Sequence, residues 1–310
     1  MIPKAKRPGH ARPPRPLLGL VAGLVLFSSL PACRRESPVF RIGYMICNSL
    51  EETRERFDPL TAYLSESTGA RFEAVYLDTV DVESAYQQGD FEFTHTNSLL
   101  YVVLRERHGV RPIAAERRGA FGARTRGVII ARKDSGLQTL ADLKGKRVVF
   151  GPQWAPFGFL AQYALMLEGG IDPEQDLAYY GIPRGSMKHQ KILYSVLYGG
   201  FDAGTVPLID LEEMGADGRV APDDFTVLGR SPLAPYCTFA AAPGVSDAWV
   251  GKVRATLLAL DDRTTAPAGG ETLRVLKRAQ IAGYEALTDA DYDEIRRWAR
   301  LAKMPPYEEY

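Results

Sequence analysis

From Phe40 onward, short apolar runs of strand length alternate with segments of helical period. This alternation limits the fold more than any other feature, because strand–helix–strand units build α/β structure with mostly parallel sheets. FRIGYMI (40–46) reads as a strand. Arg54 to Ser67 places Phe57, Leu60, Tyr63 and Leu64 on one helical face, and Gly69 stands where a C-cap belongs. FEAVYL (72–77) is a strand, VESAYQQGD (82–90) a short helix, FEFTH (91–95) a strand and SLLYVVLRERHG (98–109) a helix. The strand in RTRGVIIAR, a turn and short helix over 134–144, and the strand RVVFG (147–151) continue the series. The loop GPQWAPFGF then leads into a helix through Met166. ILYSVLYGG (192–200) is a helix, FDAGTVP (201–207) a strand and LEEMG a helix; FTVLGRSP (225–232) and YCTFAAAP (236–243) are strands. DAWVGKVRATLLAL, ETLRVLKRAQ and DADYDEIRRWARLAK read as three closing helices. Ligands in such folds sit at the carboxyl ends of strands. The loops 44–54, 78–82, 94–98, 151–158, 183–190 and 204–209 are therefore the candidate site.

The segment before this series has a different character. Lys4, Lys6, Arg7, Arg12 and Arg15 precede an apolar run from Leu17 to about Leu30, which is short for a membrane span of about 20 residues. The run ends in Leu30-Pro31-Ala32-Cys33 and resembles the lipobox of bacterial lipoprotein signal peptides. That resemblance implies a leader over 1–32, lipidation at Cys33, a linker over 33–38 and a lipid-anchored protein on the periplasmic face of a bacterial cell envelope. A plain secretory signal or an uncut anchor is the alternative. Cys47 and Cys237 are the remaining cysteines, each in an apolar, strand-like context where a thiol behaves as a small hydrophobe. Free thiols are expected there, with a single disulfide between the two as the alternative in an exported chain.

Apolar residues make up 45% and charged residues 25% of the chain, as in folded globular proteins. Formal net charge is zero, which gives no footprint for nucleic acid. No G-x-S-x-G elbow, H-E-x-x-H or Cys-x-x-Cys occurs, so the chain is not expected to be an enzyme or to carry a cofactor or metal. A lipid-anchored hydrolase or metalloenzyme is the remote alternative.

RGVIIARKDSGLQTLADLKGKRVVFG is the most specific stretch: a strand, a KDSG turn, and a DLKGK lead into the next strand. With RIGYMICNSLEETRERFDPLTAYLSESTG, GDFEFTHTNSLLYVV, LEGGIDPE, GGFDAGTVP and SPLAP, it resembles substrate-binding proteins of bacterial ABC importers, most closely the phosphate/phosphite/phosphonate-binding family. The resemblance runs over about 220 residues, from Phe40 to about Leu260. It implies a type II periplasmic-binding-protein fold, with two lobes that are each a mostly parallel sheet flanked by helices, joined by two crossover strands. Lobe I would take 39–130 and 239–310, and lobe II 131–238. A small ligand would be enclosed in the cleft by hinge closure and delivered to an ABC permease by a monomer. The same fold would serve a sensory component that docks on a membrane receptor.

The resemblance also locates a departure. Phosphonate binders carry a Ser-Thr-Ser run before a glycine at a helix mouth, and here Ala155-Pro156-Phe157 precede Gly158. All three hydroxyls are absent, and Pro156 lacks an N–H. Each lost charge-assisted bond typically removes about 1.5–3 kcal/mol, so a bare phosphonate would be held weakly by this route. Trp154 and Phe157 could instead stack on an apolar, aromatic or cationic part of a ligand, or simply pack the loop. His189 aligns with the family's ligand-binding histidine, beside Lys188 and Lys191. His95, Thr94 and Asn97 cluster at a strand end, where Thr96 or Asn97 could equally cap the next helix. Tyr44, Thr205 and Tyr236 complete the expected ligand contacts, and Arg126, with Arg124, is a weaker source of positive charge. The expected ligand joins an acidic group to an apolar or aromatic part.

Overall fold

The computed structural model describes residues 37–183 and 189–308. The expected leader, Cys33, most of the linker, and Lys188 lie outside them. Among the described residues, no helix is long and apolar enough to cross a membrane.

The helix Leu50–Thr68 shows how local chemistry sets the elements. Ser49 caps its start by accepting from the Glu52 amide at 3.1 Å, and Glu51 and Glu52 face the positive end of the helix dipole. Phe57, Leu60 and Leu64 lie on one face and are buried. Each contributes on the order of 1.5–3 kcal/mol by leaving water. Gly69, at φ +72°, ends the helix in the left-handed conformation that suits glycine. The helix begins four residues before the expected Arg54, because Ser49 and Glu52 already have the spacing of a cap.

Two mixed sheets organise the molecule. The first orders its strands as Gly283–Glu285, Arg111–Arg117, Thr238–Ala241, Phe93–Thr96, Val39–Met45 and Arg71–Leu77. Four of these six run the same way; Thr238–Ala241 and Gly283–Glu285 oppose them. The second orders Phe225–Arg230, Gly127–Arg132, Ala203–Pro207, Arg147–Val149 and Tyr179–Gly181. Here four of five share a direction, and Gly127–Arg132 opposes them. The chain leaves the first sheet after Arg117 and returns to it at Thr238. Between these points, Arg124–Thr125 and Ala234–Pro235 pair antiparallel as two crossing strands. Both sheets lie within one compact unit, Ser37–Tyr310.

One segment corrects the sequence reading. ETLR in the second closing helix is a strand, Glu271–Arg274, paired with Thr265–Ala268 across Gly269-Gly270. Both glycines have positive φ (+60° and +83°), the conformation that a two-residue hairpin turn demands. Only Val275–Ala279 is helical.

Candidate functional site

A cavity of about 510 Å³ lies between the two sheets. Its first wall comes from carboxyl ends of first-sheet strands: Met45 and Cys47 after one, His95 and Asn97 at the next, Glu116 and Arg118 at a third. The opposite wall comes from Ala155–Gly158, His189, Pro207, Asp210 and Glu213. Tyr236 and Cys237, on the returning crossover, close one side.

Glu116 is fully buried at the base. His95 Nε2 lies 3.0 Å from its Oε1, but off the line of a hydrogen bond, so neither group has a hydrogen-bond partner. Burial pushes the Glu116 carboxyl up, but the neighbouring His95, Arg56 and Arg118 outweigh it and hold its pKa below the usual range. Asp210 is also depressed: burial raises it, and the bond to His189, 2.5 Å from Nδ1, together with the nearby charges of His189, Arg118 and Arg219, more than offsets that. A carboxylate only accepts, so the His189 proton sits on Nδ1.

These shifts set the acid response. A carboxyl whose folded pKa lies below its unfolded value of about 4 stabilises fully above that value, and this is lost as pH falls through the folded pKa. Thermal stability should therefore fall as pH drops below about 4, and Glu116→Gln should flatten the profile. A melting temperature that rises on acidification would contradict it.

The loop GPQWAPFGF folds tightly onto its neighbours. The Gly151 amide donates to the Gly158 carbonyl at 2.8 Å, and Thr205 Oγ1 donates to the same carbonyl. A Cβ on Gly151 would meet the Gly158 carbonyl oxygen at 2.8 Å, and one on Gly158 would meet His189 Nε2 at 2.4 Å. Glycine at both positions follows from this close approach. Gln162 Nε2 donates to the Phe157 and Val206 carbonyls and pins the loop from behind. Pro156–Leu160 is a π-turn that runs into the helix Ala161–Glu168.

Six of the ten expected contacts line the cavity: His95, Asn97, Phe157, Gly158, His189 and Tyr236. The other four do not. Tyr44 is wholly buried, stacked on Phe57, with its hydroxyl 2.9 Å from Thr61 Oγ1; it belongs to the face of its strand that meets the helix Leu50–Thr68. The Thr94 hydroxyl faces the Gly43 carbonyl at 3.3 Å. Thr205 supports the loop from beneath. Trp154 packs against the core, and its carbonyl accepts from Asn97 Nδ2 at 3.0 Å. Arg124 pairs with Glu285 and Asp291, and the Arg126 guanidinium lies over Phe121, so neither serves the cavity.

Asn97 has a structural task as well. Its Oδ1 caps the helix Ser98–His108 through the Leu100 amide at 2.9 Å, while Nδ2 reaches the loop of the other sheet. Asn97→Ala should cost about 1–2 kcal/mol, measured as a shift in urea midpoint at constant m-value. A cost below about 0.3 kcal/mol would contradict that role.

Sequence reasoning missed Arg56, Glu116, Arg118, Asp210 and Glu213 on the cavity wall. Arg118 follows a strand that ends at Arg117, and Asp210 follows one that ends at Pro207. The same strand-end rule would have found both. Cys47 and Cys237 also line the cavity and are unbridged. The strand Phe93–Thr96 lies between their two strands, which puts their Cα atoms roughly 10 Å apart and beyond disulfide reach. Burial raises both thiols. Among the described residues, no group of three or more His, Cys, Asp and Glu side chains is placed to hold a metal ion.

Two mixed α/β sheets, two crossing strands and a cavity at strand ends define a binding protein of the type II periplasmic kind. The family model described as "ABC transporter, phosphonate, periplasmic substrate-binding protein" matches residues 42–292, and the chain belongs to that family. The family is one of transport components, not enzymes. The tetrathionate sensor histidine kinase TtrS of Salmonella typhimurium is 30% identical over 235 residues, which span 70% of this chain but only 39% of that protein. The phosphate-import protein PhnD of Mycolicibacterium smegmatis is 25% identical over 260 residues, 79% of this chain and 80% of its own. Among solved structures, PhnD1 of Prochlorococcus marinus with methylphosphonate superposes with a TM-score of 0.68 at 16% identity, covering 84% of this chain and 97% of that one. XAC2383 of Xanthomonas citri, bound to ATP, gives 0.68 at 19% identity, with 86% and 97% covered. At such identities these structures speak to the fold.

Proposed function

We propose that the chain is the substrate-binding component of an ABC importer, capturing a small oxyanion with an apolar or aromatic part between its two sheets. The observation that carries this is the family membership together with a cavity at strand carboxyl ends, walled by both sheets. The sheets are then two lobes, expected at 39–130 with 239–310 and at 131–238. Because Gly127–Arg132 belongs to the second sheet and Thr238–Ala241 to the first, the boundaries fall instead at the crossing strands Arg124–Thr125 and Ala234–Pro235, about which the lobes close as a hinge. His95, Asn97, Phe157, Gly158, His189 and Tyr236 are the proposed ligand contacts among the ten expected residues. Phe157 supports the apolar half of the ligand: it lines the cavity and stacks toward Tyr236 at 6.2 Å between ring centres. His189 supports the anionic half, since its Nε2 stands at Gly158 beside the helix mouth and becomes a donor when protonated. A monomer anchored through Cys33 on the periplasmic face and handing ligand to a permease completes the reading.

The test is a thermal-shift panel of phosphate, phosphite, alkylphosphonates, sulfonates, tetrathionate and aromatic acids. An organic anion at 100 times its Kd should add about 2.7 kcal/mol of stability. Inorganic phosphate as the strongest stabiliser would overturn the ligand class. The 30% identity to a sensor kinase favours one second reading, a ligand-binding sensory component. Deleting the gene separates the two. Lost uptake supports import, whereas lost ligand-dependent transcription with uptake intact supports sensing.

A further inference from the structure

Arg118 stands where the chain leaves the first sheet, and its side chain is 13% exposed. Its five N–H donors are unevenly matched. Nη2 donates to both carboxylate oxygens of Glu213, each at 2.8 Å. Nη1 donates to the Tyr236 hydroxyl at 3.2 Å, with the guanidinium 5.3 Å from the centre of that ring. The Nε–H is buried with no acceptor. Glu213 reaches across from the opposite wall, on the helix Leu208–Ala216, and is 46% exposed. The wall as a whole is not a cationic trap. Arg56, Arg118 and Arg219 face Glu52, Glu116, Asp210, Glu213 and Asp217. Arg56 donates only to the Ala279 carbonyl, whereas Arg118 is already held by a carboxylate, so an anion that comes to Arg118 must replace Glu213.

We propose that Arg118 is the anion-binding residue of the cavity, and that Glu213 is an internal stand-in for the ligand's oxyanion, displaced when ligand binds. The proposal rests on the binding reading above. A guanidinium donates to a carboxylate and to a tetrahedral oxyanion alike, and Glu213 occupies only Nη2. Glu213 is half in water, so releasing it costs little, as is usual for ion pairs with an exposed partner. The unmatched Nε–H is a donor that Glu213 leaves unused and that a three-oxygen anion can also engage. Tyr236 stays in place and holds the guanidinium during the exchange. The consequence has a distinctive sign: neutralising Glu213 should tighten binding.

Calorimetric titration of the full chain with methylphosphonate and with tetrathionate tests this, using the wild type, Glu213→Gln, Arg118→Gln and the double variant. Glu213→Gln should bind about two- to fivefold tighter than wild type. Arg118→Gln should bind more than about tenfold weaker. Adding Glu213→Gln to Arg118→Gln should then bring no gain, because the competitor acts only through Arg118. Arg118→Lys, which keeps the charge but loses the fork, should fall between and guards against a folding defect in Arg118→Gln. Unchanged or weaker binding by Glu213→Gln, or the same gain without Arg118, makes Glu213 a mere inter-sheet strut and overturns the proposal alone. Failure of both probes to bind any of these proteins overturns the binding reading and the proposal with it.

Discussion

His95→Ala should destabilise the protein by about 2–5 kcal/mol, the usual cost of truncating a large buried side chain in a packed core. The imidazole is 4% exposed and the Glu116 side chain 0%, with 3.0 Å between them. Without His95, the buried Glu116 carboxylate loses its nearest polar neighbour. Arg56 and Arg118 lower its charge penalty from farther away, but neither donates a bond to it. The imidazole also packs on Phe57 at 4.6 Å and Phe239 at 6.1 Å between ring centres, so its removal opens a void. Urea denaturation at neutral pH measures the cost, and a loss under 1 kcal/mol would show that Glu116 does not depend on His95. Replacing both groups together, as in His95→Phe with Glu116→Gln, should recover part of the loss, since no buried carboxylate then remains.

Gly158→Val is expected to weaken ligand binding by more than tenfold and to cost about 1–3 kcal/mol through overpacking. The added Cβ would lie 2.4 Å from His189 Nε2 and 3.3 Å from the Ala155 Cβ. His189 has little room to retreat, because it is 12% exposed and tied to Asp210 through Nδ1. The ring or the loop must shift, and both are proposed ligand contacts. Gly158→Val with His189→Ala should regain the stability without regaining the binding. Wild-type affinity in Gly158→Val would place the ligand away from the helix mouth.

Much of the frame was legible because it depends on local rules. Gly69 and Gly109 end their helices as C-caps with φ +72° and +73°, and five of the six strand-end loops meet at one cavity, with 78–82 the exception. The Gly269-Gly270 hairpin was equally readable but was overridden by the apolar pair Val275-Leu276, which extended a helical pattern back over ETLR. Other misses were not local. Tyr44 and the cavity-lining His95 are register partners on neighbouring strands and both pack on Phe57, so Tyr44 is kept from the cavity by its depth beneath those rings, which only the packed structure fixes. Arg124 and Arg118 are six residues apart and chemically alike, yet one pairs with Glu285 and Asp291 while the other meets Glu213 across the cavity. That difference arises only when the chain crosses from one sheet to the other. The loss of hydroxyls at Ala155-Pro156-Phe157 was visible in the sequence. That the same loop is pressed against His189, held in turn by Asp210, was not.

The position of a bound anion in a crystal tests the central claim most directly. The chain would be crystallised with the panel anion that stabilises it most. The account predicts electron density for that anion between the two sheets, within hydrogen-bonding distance of Arg118, His189 or the Gly158 amide, with its organic part against Phe157. An anion seated instead in the groove formed by Arg274, Lys277 and Arg278, with the inter-sheet cavity holding only water, would contradict it.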